Sequence, residues 1–221
     1  KGIWIKGYAF ISSGELLKEE EFAEHLSSIL NSASSTRYIK ELNGRFVATG
    51  QTDNYPFICT DRTRSFPLFF KYKRGEILIS DDPQSLIDEN TPIDETALQE
   101  FIASGFTWEE RTLLEDIKQC EPAHLILFHP HKIEKQKFFS FSTSKTKRIS
   151  FNEAFHQLSD ILENIMKRAL KVTGDAPVVV PLTSGYDSRF LTTWLWQNHV
   201  NIHLTFTSGK EIPRNLKTQK K

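Results

Sequence analysis

Two cysteines, Cys59 and Cys120, are all that the 221 residues contain. That is too few for a disulfide framework, so an oxidising compartment is not implied. Neither sign of charge is in excess, because 28 Lys and Arg balance 28 Asp and Glu. No general field therefore draws nucleic acid or an anionic membrane. No apolar run approaches the ~18 residues of a membrane span, and no charged-then-apolar leader opens the sequence. Internal repeats are lacking too. These absences suggest a cytoplasmic protein with no nucleic-acid and no membrane partner. The length suits one large or two modest domains with a real core.

The common phosphate and nucleophile motifs are also missing. There is no Walker A pattern and no spaced Gly-x-Gly-x-x-Gly. The elbow Gly-x-Ser-x-Gly fails at Ser184, which has Leu182 and Tyr186 two residues away, and at Ser188, which has Tyr186 and Phe190. What is present is Thr183-Ser184-Gly185-Tyr186-Asp187-Ser188. It follows Val178-Val179-Val180 and precedes an apolar, helix-like run over 190–196. Ile202-His203-Leu204-Thr205-Phe206 is a second strand candidate. Strand, small-residue loop, helix and strand in about 30 residues read as a βαβ unit. Small hydroxyl residues and glycine at a helix N-terminus make an anion site, through backbone N–H groups, the helix dipole and hydroxyl donors. The plain alternative is an ordinary turn in which Asp187 or Ser188 caps the helix.

The rest of the chain divides near residue 148. Strands are expected at 3–5, 45–49, 55–60, 68–72 and 76–80, with a hairpin turn at Lys73-Arg74-Gly75. Helices are expected over 15–30, with Phe22, Leu26, Ile29 and Leu30 on one face, and over 96–103, stopping at Gly105. This mixture argues α+β. Residues 138–148 read as a linker. Ser150-Phe151-Asn152-Glu153 is a capping-box signature, and apolar residues at helical spacing carry a helix to about Val172, ended by Gly174. The all-apolar strand that follows suits a covered parallel sheet. His129-Pro130-His131 reads as a solvated loop, Asp81-Asp82 as a turn before Pro83, and Lys217 to Lys221 as a solvated basic end.

The loop at 183–188 resembles the Ser-Gly-Gly-x-Asp-Ser pyrophosphate loop of the ATP pyrophosphatases that make adenylates. Thr183 stands for the first Ser and Ser184 for the first Gly, where a positive φ would strain a serine. Thr60-Asp61-Arg62-Thr63-Arg64-Ser65-Phe66-Pro67-Leu68-Phe69-Phe70 resembles the Arg-Asp-x-x-Gly-x-x-Pro-Leu-Tyr-Tyr segment of asparagine synthetases. Leu42-Asn43-Gly44-Arg45-Phe46-Val47 resembles their Leu-x-Gly-x-Phe-Ala strand. Phe101-Ile102-Ala103-Ser104-Gly105-Phe106, Arg111-Thr112-Leu113 and Pro122-Ala123-His124 are similar to their Tyr-Leu-x-x-Gly-Tyr, Arg-Thr-Leu and Pro-Gly-His parts, in the same order. The chain thus resembles glutamine-dependent asparagine synthetases, including the β-lactam synthetase branch, over roughly residues 2–208. The resemblance implies an α+β four-layer sandwich of the amino-terminal nucleophile hydrolase kind at 1–140. It implies the start of an α/β parallel-sheet ATP-pyrophosphatase domain at 149–221.

That family opens with a Cys whose α-amine is the base in glutamine hydrolysis, whereas this sequence opens Lys1-Gly2-Ile3-Trp4. The family's Arg-Gly-Pro-Asp segment is missing. Lys6 replaces the oxyanion-hole Asn, and Gly7 keeps the second position. Either an amino-terminal part is lost or the glutaminase is degenerate, and Lys6 favours degeneracy. No catalytic side chain is assigned within the chain.

The resemblance implies ATP and Mg²⁺ as cofactors in asparagine-type biosynthesis. A carboxylate such as aspartate is adenylated, pyrophosphate leaves, and ammonia or glutamine-derived ammonia makes the amide. Thr183, Gly185 and Ser188 would hold the β- and γ-phosphates, and Ser184 would donate through its backbone. Asp187 would place Mg²⁺ or brace the loop. Thr205 and Phe206 would meet adenine, and Arg189 is either a phosphate contact or a surface residue. A non-catalytic nucleotide-binding or assembly protein stays open as the other function. Only two parallel strands follow residue 177, so a missing segment or a partner chain, such as a second copy in a homo-oligomer, is expected over the sheet.

Overall fold

Alternation along four central strands builds two cores back to back. The computed structural model describes residues 2–32, 35–73, 75–143 and 146–207. It places β1 at Ile3–Phe10, β2 at Leu16–Lys18, β3 at Asn43–Gln51, β4 at Pro56–Thr60, β5 at Phe69–Lys73 and β6 at Glu76–Ser80. Strands β7 (Ile117–Gln119), β8 (His124–His129) and β9 (Lys132–Lys137) follow, with helices α1 (Glu19–Leu30), α2 (Ser35–Ile39) and α3 (Glu95–Ser104) between them. An antiparallel six-stranded sheet runs β2-β1-β3-β4-β8-β9, and a three-stranded sheet runs β6-β5-β7.

Successive side chains of a strand point to opposite faces. Phe46, Ala48, Phe57, Cys59 and Leu125 therefore meet the buried face of α1, made of Phe22, Leu26 and Ile29. Val47, Ile58, Ile126 and Phe128 point the other way, onto Phe70 of the second sheet and Leu68 just before it. The result is helix, sheet and sheet in layers. Phe22 meets Phe46 edge-on with ring centroids 5.1 Å apart. Glu19, Glu20 and Glu21 in the first turn of α1 complement its dipole.

The outer face of the second sheet holds a charge cluster. Lys71 is 3% exposed. Its ammonium lies 2.8 Å from Asp88 and 3.5 Å from Asp116, and Lys73 lies 2.7 Å from the other oxygen of Asp88. Hydrogen bonds from Lys71 and then Lys73 hold the Asp88 carboxyl down from 3.8 to about 2. A depressed carboxylate adds stability that is present above its ordinary value and lost as pH falls through the folded one. Asp88→Asn should therefore flatten the acid limb of the stability curve between about pH 4 and 2. Thermal melts of both proteins across that range check it, and identical acid limbs would refute it.

The second compact unit, 149–221, is described by itself. It comprises α4 (Phe151–Thr173), β10 (Val178–Pro181), α5 (Tyr186–Gln197) and β11 (Ile202–Phe206). Ser150 Oγ accepts from the Glu153 N–H at 3.2 Å, so the cap starts α4, and Gly174 at φ 57° ends it. Strands β10 and β11 are parallel. Met166, Val180, Trp194 and Leu195 form the core, and the Trp194 indole donates to Glu163 at 2.7 Å.

Several expectations need correction. The helix expected from residue 15 starts at Glu19, because Leu16–Lys18 pairs with β1 as β2 and buries Leu17. The chain switches from strand to helix at Glu19, whose φ is +46°. Strand β1 continues five residues past Ile5, because its whole length pairs with β3. Strands β7, β8 and β9 were not anticipated. Phe138, read as linker, is a core residue 4% exposed, and its N–H binds Ala123 O. Asp82 caps the 3-10 turn Pro83–Leu86 as expected, accepting from Gln84 N–H. Lys1, Arg74 of the expected hairpin turn and Lys217 to Lys221 lie outside the described residues. Among the described residues, no helix is long and apolar enough to cross a membrane.

Candidate functional site

In the first unit, β1 carries Lys6 and Gly7 side by side. Gly7 has φ +109°, and a Cβ there would sit 2.0 Å from Arg45 O and 2.8 Å from the Phe66 ring. Only glycine fits that backbone. The Lys6 ammonium reaches Asp81 at 3.4 Å and lies 5.6 Å from the Phe66 ring centroid. Both partners of this pair are about half exposed, so it is a weak surface pair.

Neither cysteine supplies a thiolate. Cys59 and Cys120 are each 0% exposed. Burial, then the charge of Asp61, raises the Cys59 thiol far above its ordinary range. Burial pushes Cys120 up to about 12. A reactive thiol needs the opposite environment.

Asp61 organises the adjoining loop. Its Oδ2 accepts from the N–H of Phe46 at 2.9 Å and of Ser65 at 3.0 Å. Its Oδ1 accepts from Thr63 N–H at 2.7 Å and Thr63 Oγ1 at 2.9 Å. The loop leaves Arg64 at φ +52°, where the asparagine synthetase pattern has Gly. Ala123, in the Gly place of the Pro-Gly-His pattern, is likewise at φ +59°. Both positions thus have left-handed backbone in residues other than glycine.

In the second unit the loop 183–188 leaves the carboxyl end of β10. Leu182 N–H binds Phe206 O at 2.8 Å, which brings the end of β11, with Thr205 and Phe206, beside the start of the loop. Ser188 Oγ accepts from Thr183 N–H at 3.1 Å and lies 3.0 Å from Thr183 Oγ1. Gly185 N–H donates to Thr183 Oγ1 at 3.2 Å. Gly185 is the N-cap of α5 with φ −68°, and no side chain caps that helix. Asp187 in the first turn and Arg189, which stacks on Tyr186 and donates to Gly185 O, are exposed. Ser184 is not among the residues with positive φ, so serine is unstrained there.

An anionic phosphate group fits this terminus, because the first-turn N–H groups have no side-chain cap and two hydroxyls stand at the mouth. The hydroxyl ring also ties up the N–H groups of Thr183 and Gly185. Among the described residues no three His, Cys, Asp or Glu gather as a metal site. Asp187 is thus the one loop carboxylate to which a cation bound with phosphate could turn.

The family model for the glutamine amidotransferase domain matches residues 19–139. This chain belongs to that family. As a glutamine amidotransferase domain, its match spans α1 through the end of the first core and takes in the Asp61 loop. Lys6 and Gly7 precede the match, and the loop 183–188 follows it. The glutamine phosphoribosylpyrophosphate amidotransferase from B. subtilis, complexed with ADP and GMP, is similar at 11% identity and TM-score 0.38. It aligns over 99% of this chain and 49% of that one. A second structure, of the allosteric regulatory enzyme of purine biosynthesis, is similar at 12% identity and TM-score 0.38, over 99% and 48%. The chain spans about half the length of each. No curated protein matches the sequence.

Proposed function

We propose that this chain is part of an asparagine synthetase-like ligase that uses ATP and Mg²⁺ to activate a carboxylate such as aspartate and convert it to an amide. The first unit keeps the amidotransferase fold without hydrolysing glutamine. Ammonia then comes from solution or from a separate glutaminase. One observation carries the ligase reading: the uncapped N-terminus of α5 and the ends of both parallel strands meet at the loop 183–188. Ligands of open parallel sheets bind at the carboxyl ends of the strands. Bound ATP would supply the leaving pyrophosphate. Thr183 and Ser188 would turn their hydroxyls from each other to its oxygens, and the first-turn N–H groups would donate. Asp187 would orient a bound Mg²⁺, and Thr205 and Phe206 would flank the nucleotide base. Lys6 and the two buried cysteines support the loss of glutaminase chemistry.

ATP–pyrophosphate exchange tests the reading, with aspartate and other small carboxylates in turn. Ser188→Ala should lower exchange by roughly tenfold or more, since it removes one donor to a charged ligand and unties the Thr183 N–H. Measured in the full-length protein that carries this chain, exchange equal to wild type in this variant, or none with any acid, overturns the proposal. Absence of exchange together with tight nucleotide binding would favour a non-catalytic assembly protein, a role that the self-paired hydroxyls of Thr183 and Ser188 suit.

A further inference from the structure

A cleft of about 770 Å³ opens within the first unit, and neither Lys6 nor Gly7 lines it. Its volume falls in the range of small-ligand sites. Phe101, Phe106 and Leu113 leave 45%, 52% and 37% of their surfaces exposed, and all three line this cleft. Two opposite charges, Arg64 and Glu109, line it as well. Among the described residues neither is in a salt bridge within 4 Å, although the charge of Glu109 is felt by the Arg111 guanidinium. The guanidinium of Arg64 instead donates to neutral oxygens, Gln119 Oε1 at 2.6 Å and Cys120 O at 3.3 Å.

The backbone is strained at both residues. Arg64 and Glu109 sit at φ +52° and +55°, the left-handed region that ordinary residues avoid. One side chain ties them together. Gln119 accepts from Arg64 through Oε1, and its Nε2 donates to Glu109 O at 2.9 Å and to Thr107 Oγ1 at 3.3 Å. The cation and the Glu109 backbone are thus separated by one amide group. Strain that the surroundings fix in this way is characteristic of ligand clamps. The wall offers little to a polar side chain, because its threonines are engaged. Thr107 donates to Arg111 O, Thr112 to Leu114 O and Ile117 O, and Thr63 to Asp61.

We propose that this cleft binds an α-amino acid with an apolar side chain: its carboxylate on Arg64, its ammonium on Glu109, and its side chain against Phe101, Phe106 and Leu113. The forked guanidinium matches a carboxylate. Arg64 and Glu109 each gain an opposite charge at close range, and three exposed apolar side chains lose water contact. The site stands independently of the ligase reading.

Isothermal titration of the full chain with L-phenylalanine tests it. Saturable binding in the millimolar range is expected for a ligand of this size. N-acetyl-L-phenylalanine lacks the ammonium and L-phenylalaninamide lacks the carboxylate, and each should bind roughly tenfold more weakly. Arg64→Gln and Glu109→Gln should each produce a loss of the same order. Phe101→Ala, on the exposed side of α3, should weaken all three ligands alike. If Arg64→Gln does not fold, Phe101→Ala and the two charge-deleted ligands still decide. No saturation with L-phenylalanine, equal affinity for all three ligands, or unchanged affinity in a folded Arg64→Gln overturns the site. Tighter binding of L-glutamine, or of a peptide ending in Phe, overturns the assigned ligand class.

Discussion

Gly7→Ala should cost about 4 kcal/mol or more of the stability of the first unit, near the top of the range for single substitutions. Two penalties combine. The backbone at φ +109° is a region that an L side chain rarely adopts, and the new methyl would lie 2.0 Å from Arg45 O. Relief is blocked in both directions. Arg45 belongs to β3, which pairs with β1 over eight successive residues, and the Phe66 ring closes the remaining side at 2.8 Å. A Cβ can be accommodated only by breaking the ladder between β1 and β3 of the larger sheet. Gly14→Ala is the control. Gly14 also has positive φ, +84°, but a Cβ there would point into open space. That change should cost only the backbone term, about 1–2 kcal/mol. Urea unfolding followed by circular dichroism measures both. Equal losses for the two variants would show that packing at Gly7 contributes nothing.

The contrast between these two glycines shows where the sequence is legible. Local signals read well. The strand Glu76–Ser80, the Asp82 cap, the stop of α3 at Gly105 and the Ser150 cap of α4 each depend on residues within four positions of one another. The parallel pairing of β10 and β11 follows from the apolar spacing around a short helix. Non-local causes did not read. Strand β2 has three residues, and its neighbours continue the helical pattern of α1, so pairing with β1 alone makes it extended. Strand β9, Lys132–Lys137, is a polar edge strand whose form depends on β8. At the sites, the loop 183–188 is a contiguous motif, and its position was open to inspection. The pairing of Thr183 with Ser188 was not, because hydroxyl rotors leave no pattern in sequence. Arg64, Glu109 and Gln119 are spread over 56 positions and meet only through one side-chain amide. The positive φ at Arg64 and Glu109 belongs to residue types that do not announce it.

Asp61→Ala should destabilise the first unit by about 3–5 kcal/mol, since a hydrogen bond to a charged group is worth about 1.5–3 kcal/mol and each buried donor left unmet adds about 1–3 kcal/mol. Asp61 is 1% exposed, and its two oxygens accept four hydrogen bonds. Its main chain joins the same knot: its N–H binds Phe46 O, and its C=O accepts from Ala123 N–H. Alanine leaves the N–H groups of Phe46, Thr63 and Ser65 without acceptors, and an unmet donor carries a desolvation penalty of its own. The loop would open where it joins β3, β4 and the turn before β8, so the damage should spread through both cores. Asp61→Asn separates shape from charge. It keeps the volume but turns an acceptor into an NH₂ group aimed at N–H donors, and should cost about half as much. Hydrogen exchange locates the effect: the Phe46 and Ser65 amides should lose protection in Asp61→Ala, while Trp194 in the second unit keeps its own. If the first-unit amides stay protected, the carboxylate is not what holds the loop.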